Sequence, residues 1–172
     1  MIRRFRDIIY FIVYVLLQTL VIDQIHLFGI VTPFIYLYII LKLRINSSRS
    51  SVILLSFLLG LIIDIFSNTF GIHAAACAVI GFIRNPLLGQ FVDVKELPDG
   101  SIPSYRLFGF NKFFRFTFII VTLHHLILFS VESFGFYQPS LMILRLMTSI
   151  FLSLLLIIII ESFNLINIKN GE

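Results

Sequence analysis

The chain has 172 residues, 59% hydrophobic and only 13% charged, the charged share being roughly half that of a soluble domain. With a mean hydropathy of +1.03, this excludes an ordinary soluble enzyme and predicts an all-α integral membrane protein, a single domain over 1–172. Only the stretch from Leu88 to Lys112 is long and polar enough to stand outside a bilayer, which leaves no room for an external catalytic domain.

Met1-Ile2-Arg3-Arg4-Phe5-Arg6 and the apolar run behind it resemble the start of a secretory signal. The run passes Leu20 without a small-x-small cleavage site, so a retained first span is expected over 8–27. From Ile8 to Leu41 the chain is nearly all apolar, interrupted by Asp23, Gln24, His26 and Gly29. At ~1.5 Å per residue this stretch is roughly 51 Å of helix, too long for one crossing of a ~30 Å core and tight for two. A break at Leu27 to Val31 follows, with Thr32 as cap and Pro33 in the first turn of a short or tilted second helix over 32–43.

Lys42, Arg44 and Arg49 flank Asn46-Ser47-Ser48 in a basic turn. The third span covers 52–68, and Asp64 lies ~18 Å from its start, in the far half of the bilayer. After Ser67-Asn68-Thr69 the fourth span, 72–88, opens with Gly71-Ile72-His73. Its small residues Gly71, Ala74, Ala75, Ala76, Ala78 and Gly81 suit close helix packing. Cys77 has no partner for an internal disulfide and sits in the same apolar run, where packing is its expected role.

Arg84-Asn85-Pro86 is expected to close that helix, and the polar segment 89–112 to form a hairpin or a surface loop, with Pro98-Asp99-Gly100 as a turn. A fifth span follows over 113–131, containing His124 and His125. The sixth, 139–163, opens on Pro139 and contains Arg145 and Glu161. No repeat, heptad or low-complexity tract interrupts the pattern.

Six transmembrane helices with both termini on one side place Arg3, Arg4, Arg6, Lys42, Arg44, Arg49, Arg84, Lys95, Arg106, Lys112, Arg115 and Lys169 on one face. The positive-inside rule makes that face, its loop 89–112 and both termini cytoplasmic. The net charge of +4 is then a matter of topology and needs no nucleic acid. Asp23, His26, Asp64, His73 and Arg145 fall in the opposite half of the membrane. A charge at that depth normally has a partner, so Arg145 is expected to neutralise Asp64 or Asp23, the more so because Asp64 sits near a helix C-terminus, where the dipole disfavours an anion.

Catalytic patterns are missing: there is no His-Glu-x-x-His, no Gly-x-Ser-x-Gly, no phosphate-cradling glycine loop and no zinc spacing. His124 and His125 point about 100° apart on a helix, so they do not share one ion without distortion. Neither a cofactor nor a metal is expected.

The pattern Gly60-Leu61-x-x-Asp64, a short break, then Gly71-Ile72-His73-Ala74 and an apolar helix, in a small six-span chain with a basic start, resembles the MreD family of rod shape-determining proteins. The resemblance covers most of the chain by layout and Gly60 to Ala75 by motif; the aromatic-rich spans and the long polar segment have no counterpart in it. It implies a non-catalytic scaffold of cell elongation in the bacterial inner membrane. The implied partners are MreC and, with it, RodA, a class B penicillin-binding protein and, indirectly, the MreB filament. It also implies a fold similar to the S components of energy-coupling-factor vitamin transporters, which hold ligand in the half of the membrane where Asp23, His26, Asp64, Gly71, His73 and Arg145 lie. A vitamin-binding S component is therefore the alternative function. Such proteins commonly dock through small residues of the first helix, whereas Tyr10 to Leu20 is bulky throughout.

Overall fold

The computed structural model describes residues 2–22, 31–132 and 139–169, and among these the fold is helical without a β-sheet. Three helices are long and apolar enough to cross a bilayer, over Arg49–Ser67, Phe110–Val131 and Ser140–Asn164, and two shorter apolar helices, Ile9–Leu20 and Ile72–Leu88, pack among them. The chain is a membrane protein.

Helix α1, Ile2–Leu16, continues into a π-helical turn, Leu17–Ile22. No glycine or proline interrupts it, and where the ladder widens the Thr19 hydroxyl donates to the Val15 carbonyl at 3.0 Å. The segment after the break differs from the expected helix. Residues 31–36 are not helical, and α2 is a single short turn, Leu37–Leu41. Yet this segment is the centre of the molecule: Phe34, Ile35, Tyr36, Leu37, Tyr38, Ile40 and Leu41 are all buried in the core.

Helix α3, Arg49–Ser67, starts on Ser48, whose hydroxyl accepts the Ser51 N–H, and ends on Asn68 in the left-handed region at φ 54°. Gly71, at φ 80°, turns the chain into α4, Ile72–Leu88. Pro86 sits inside the last turn of that helix, and Gly89 donates to the Asn85 carbonyl at its end. Helices α3 and α4 form an antiparallel hairpin whose axes are held close by two glycines. A Cβ on Gly60 would stand 2.5 Å from the His73 carbonyl oxygen, and one on Gly81 would stand 2.8 Å from the Ser56 hydroxyl.

The polar segment is not a hairpin. It forms a 3-10 turn, Val94–Glu96, and a short helix α5, Tyr105–Phe108. It is fastened to the basic turn: Ile45 N–H donates to the Ser101 carbonyl (2.9 Å), Asn46 to the Asp99 carboxylate (2.9 Å) and Lys42 Nζ to the Pro103 carbonyl (2.7 Å). Helix α6, Phe110–Glu132, follows at once, and α7, Pro139–Lys169, opens on its proline, where the missing N–H goes unused.

An extended strand of backbone at membrane depth leaves N–H groups that lipid cannot satisfy. Here two flanking helices supply the partners. On one edge, Thr32 N–H donates to Ser149 Oγ (3.1 Å) and Phe34 N–H to Ser153 Oγ (2.9 Å), both on α7. On the other, Gln18 of the π-helical turn after α1 accepts the Ile35 N–H (2.9 Å) and donates to the Pro33 carbonyl (3.1 Å). The registers match. Two extended residues advance ~6.6 Å, while four helical residues, Ser149 to Ser153, advance ~6 Å. The Thr32 and Phe34 N–H groups face α7, and the Ile35 N–H faces Gln18. Pro33 has no N–H and needs no acceptor.

Candidate functional site

The Gly60 to Ala74 motif is a helix-capping unit. Helix α4 begins on a glycine, which has no side chain to satisfy the free N–H groups of its first turn. Asp64 reaches across from α3 and takes that place: Oδ1 accepts the His73 N–H at 3.1 Å and Oδ2 the Ala74 N–H at 2.8 Å. The Thr69 hydroxyl also donates to Oδ1, and His73 Nδ1 lies 3.0 Å from it. Because the carboxylate only accepts, Nδ1 carries the proton. The close approach at Gly60 brings Asp64 within reach of α4, so glycine, aspartate and the Gly71 turn form one device.

This corrects the expected pairing. Asp64 is 3% exposed, and its partners are Thr69, His73 and Ala74, not Arg145. The unfavourable C-terminus of α3 is outweighed by the N-terminus of α4, which favours an anion. The Arg145 guanidinium lies 5.9 Å from the centre of the Phe129 ring. Asp23 and His26 fall outside the described residues, and so does any pairing of Arg145 with Asp23.

Next to the cap, the imidazoles of His73, His124 and His125 surround the Phe34 ring, with centroid distances of 5.5, 5.4 and 5.0 Å. His125 Nδ1 is 2.8 Å from the Val121 carbonyl, which can only accept, so that nitrogen is protonated. On the neutral ring Nε2 then accepts from the Ser153 hydroxyl at 3.1 Å, while Ser153 Oγ itself accepts from Phe34 N–H. His124 Nε2 contacts the Tyr36 hydroxyl at 2.9 Å. The two adjacent histidines therefore serve different partners, as their angular separation requires. Among the described residues no group of three or more His, Cys, Asp or Glu side chains is placed to hold a metal. This half of the bundle is filled by rings, and Cys77 is buried among them.

The opposite end carries a second polar centre that the sequence reading left out. Glu161, 1% exposed, pairs with Lys42 at 2.6 Å and accepts from the Tyr38 hydroxyl (2.6 Å) and the Tyr105 N–H (3.2 Å). Asn164 donates to Tyr38 Oη at 2.7 Å. The cluster joins the central segment, α5 and α7. Burial, and then the Glu161 carboxylate, push the Tyr105 phenol up to about 12, so it stays neutral. Arg84 is also fully buried: its Nη2 donates to the Leu41 (3.2 Å) and Leu43 carbonyls, capping the end of α2.

The signals for these residues are thin. Serines one turn apart at 149 and 153, and a glutamine in an apolar run at 18, are compatible with many helix contacts; their partner is a segment more than 100 residues away from the serines. Comparison with protein-family models, with curated proteins and with solved structures gave no match.

Proposed function

We propose that the chain is a non-catalytic scaffold of the cell-elongation machinery in the bacterial inner membrane. It binds MreC and, through it, joins RodA, a class B penicillin-binding protein and the MreB filament. The chain crosses the membrane six times with both termini and the basic end in the cytoplasm. The central segment makes the second crossing: residues 31–34 without helix, a turn at Ile35-Tyr36 and the short helix α2.

The observation that supports this reading is that Gly60 to Ala74, which resembles the MreD family motif, is built as a rigid hairpin. Its charge is satisfied within the hairpin, and its tip leaves Ile65, Phe66 and Phe70 exposed beside the cap. A tip of that kind offers an apolar contact at the outer interface for the membrane helix and juxtamembrane segment of a partner. The Phe34, Tyr36, His73, His124 and His125 rings occupy the half in which an S component holds its vitamin, which favours the scaffold over the transporter reading.

The test is affinity purification of the tagged chain from membranes of a host that co-expresses the MreC of the same bacterium. MreC is retained in near-equal amount, and Ile65→Ser with Phe70→Ser lowers its retention several-fold without lowering the thermal midpoint. Failure to retain MreC, or a vitamin bound one-to-one in its place, overturns the proposal.

A further inference from the structure

The basic-end termini of two apolar helices open onto a single hollow. Gly89 to Lys95, leaving α4, and Lys112, in the first turn of α6, line a volume of about 550 Å³. The hollow is shallow and open to the outside. Because α4 and α6 both enter apolar surroundings from here, the hollow lies at the level of lipid headgroups.

Its chemistry is divided. Lys95 and Lys112 are exposed, and among the described residues neither takes part in an ion pair. Asp93, the acid in the lining, is turned onto its own backbone, its Oδ1 accepting the Lys95 N–H at 3.0 Å. Glu96 is exposed next to Lys95, and exposed Arg115 stands one turn beyond Lys112 on α6. Phe91, Val92 and Val94 form a half-buried apolar floor, with the Phe91 ring packed against Phe116 at 6.2 Å. A free phosphate would use the ammonium groups and leave the floor wet. A phospholipid uses both, with its phosphate between the lysines and the roots of its acyl chains over Phe91 and Val92. Basic groups beside a membrane surface gain most from anionic lipid.

We propose that this hollow binds the phosphate headgroup of an anionic phospholipid. The site is independent of the scaffold reading and requires only that the chain lie in a bilayer.

The test reconstitutes the full chain in mixed phosphatidylcholine and phosphatidylglycerol bilayers. After gentle detergent extraction, the lipid that stays bound is measured by mass spectrometry. The wild type retains phosphatidylglycerol several-fold above its share of the bilayer. Lys95→Gln with Lys112→Gln loses that enrichment, and Lys95→Arg with Lys112→Arg keeps it. Arg44→Gln with Arg49→Gln, which removes the same formal charge elsewhere at this end, also keeps it. The proposal is overturned by a wild type without enrichment, by equal loss in the two glutamine pairs, or by displacement of the lipid with inorganic phosphate.

Discussion

A carboxylate at membrane depth can be met by a cation, by a proton or by an array of N–H donors, and Asp64 is met by the last. Two backbone N–H groups of α4, the Thr69 hydroxyl and His73 Nδ1 converge on it. Removing such a cap costs about 0.5–2 kcal/mol, and leaving the donors buried without an acceptor adds to that. Asp64→Ala is therefore expected to lower the unfolding free energy in detergent by about 1–3 kcal/mol. Since Arg145 stands over Phe129 and is not a partner of Asp64, Arg145→Gln should add its own effect independently. In a double-mutant cycle the two changes add to within about 0.5 kcal/mol; a coupling above 1 kcal/mol would restore the ion pair. The sequence disclosed that Asp64 needed a partner but not which one. Charge arithmetic counts guanidinium groups, whereas a helix N-terminus gains its partial charge only after the fold has placed it.

At the scale of elements, the α3–α4 hairpin rests on two glycines with opposite requirements. Gly60 has an ordinary backbone but no space, its Cβ position falling 2.5 Å from a carbonyl oxygen of α4. Gly71 has space, with nothing within 4 Å, but a φ of 80°. Gly60→Ala must push two backbones apart and carry Asp64 away from its donors, so it is expected to lose more stability than overpacking alone, typically about 1–3 kcal/mol. Gly71→Ala meets only the left-handed backbone penalty of about 1–2 kcal/mol. Thermal unfolding with each single variant tests the order, and a Gly71→Ala loss larger than that of Gly60→Ala would refute it. Helices α3, α4, α6 and α7 were readable because each has sustained apolar length between polar breaks. The second span was not. Thr32-Pro33 has the form of a helix start, and nothing local shows that Gln18, Ser149 and Ser153 would support extended backbone there instead. Where a helix was expected over 32–43, the only helix is the short α2, Leu37–Leu41, behind residues 31–36 that are not helical.

For the whole molecule, polarity is distributed in layers. One end carries the basic turn, the fastened segment 89–109, and the Lys42–Glu161 pair. The middle is the buried central segment, and beyond it come the imidazoles and the Asp64 cap. The proposed lipid site and the proposed partner surface at Phe70 then lie at opposite faces of the bilayer. Both assignments depend on which end faces the cytoplasm, and that is measured directly by labelling single cysteines in a Cys77→Ala background. Ser50→Cys and Glu96→Cys probe the basic end, Phe70→Cys the hairpin tip, and all three positions are exposed. With a membrane-impermeant maleimide on spheroplasts, Phe70→Cys should react at once, while Ser50→Cys and Glu96→Cys react only after permeabilisation. Reaction of Ser50→Cys or Glu96→Cys in intact spheroplasts, or protection of Phe70→Cys until they are opened, would contradict the account.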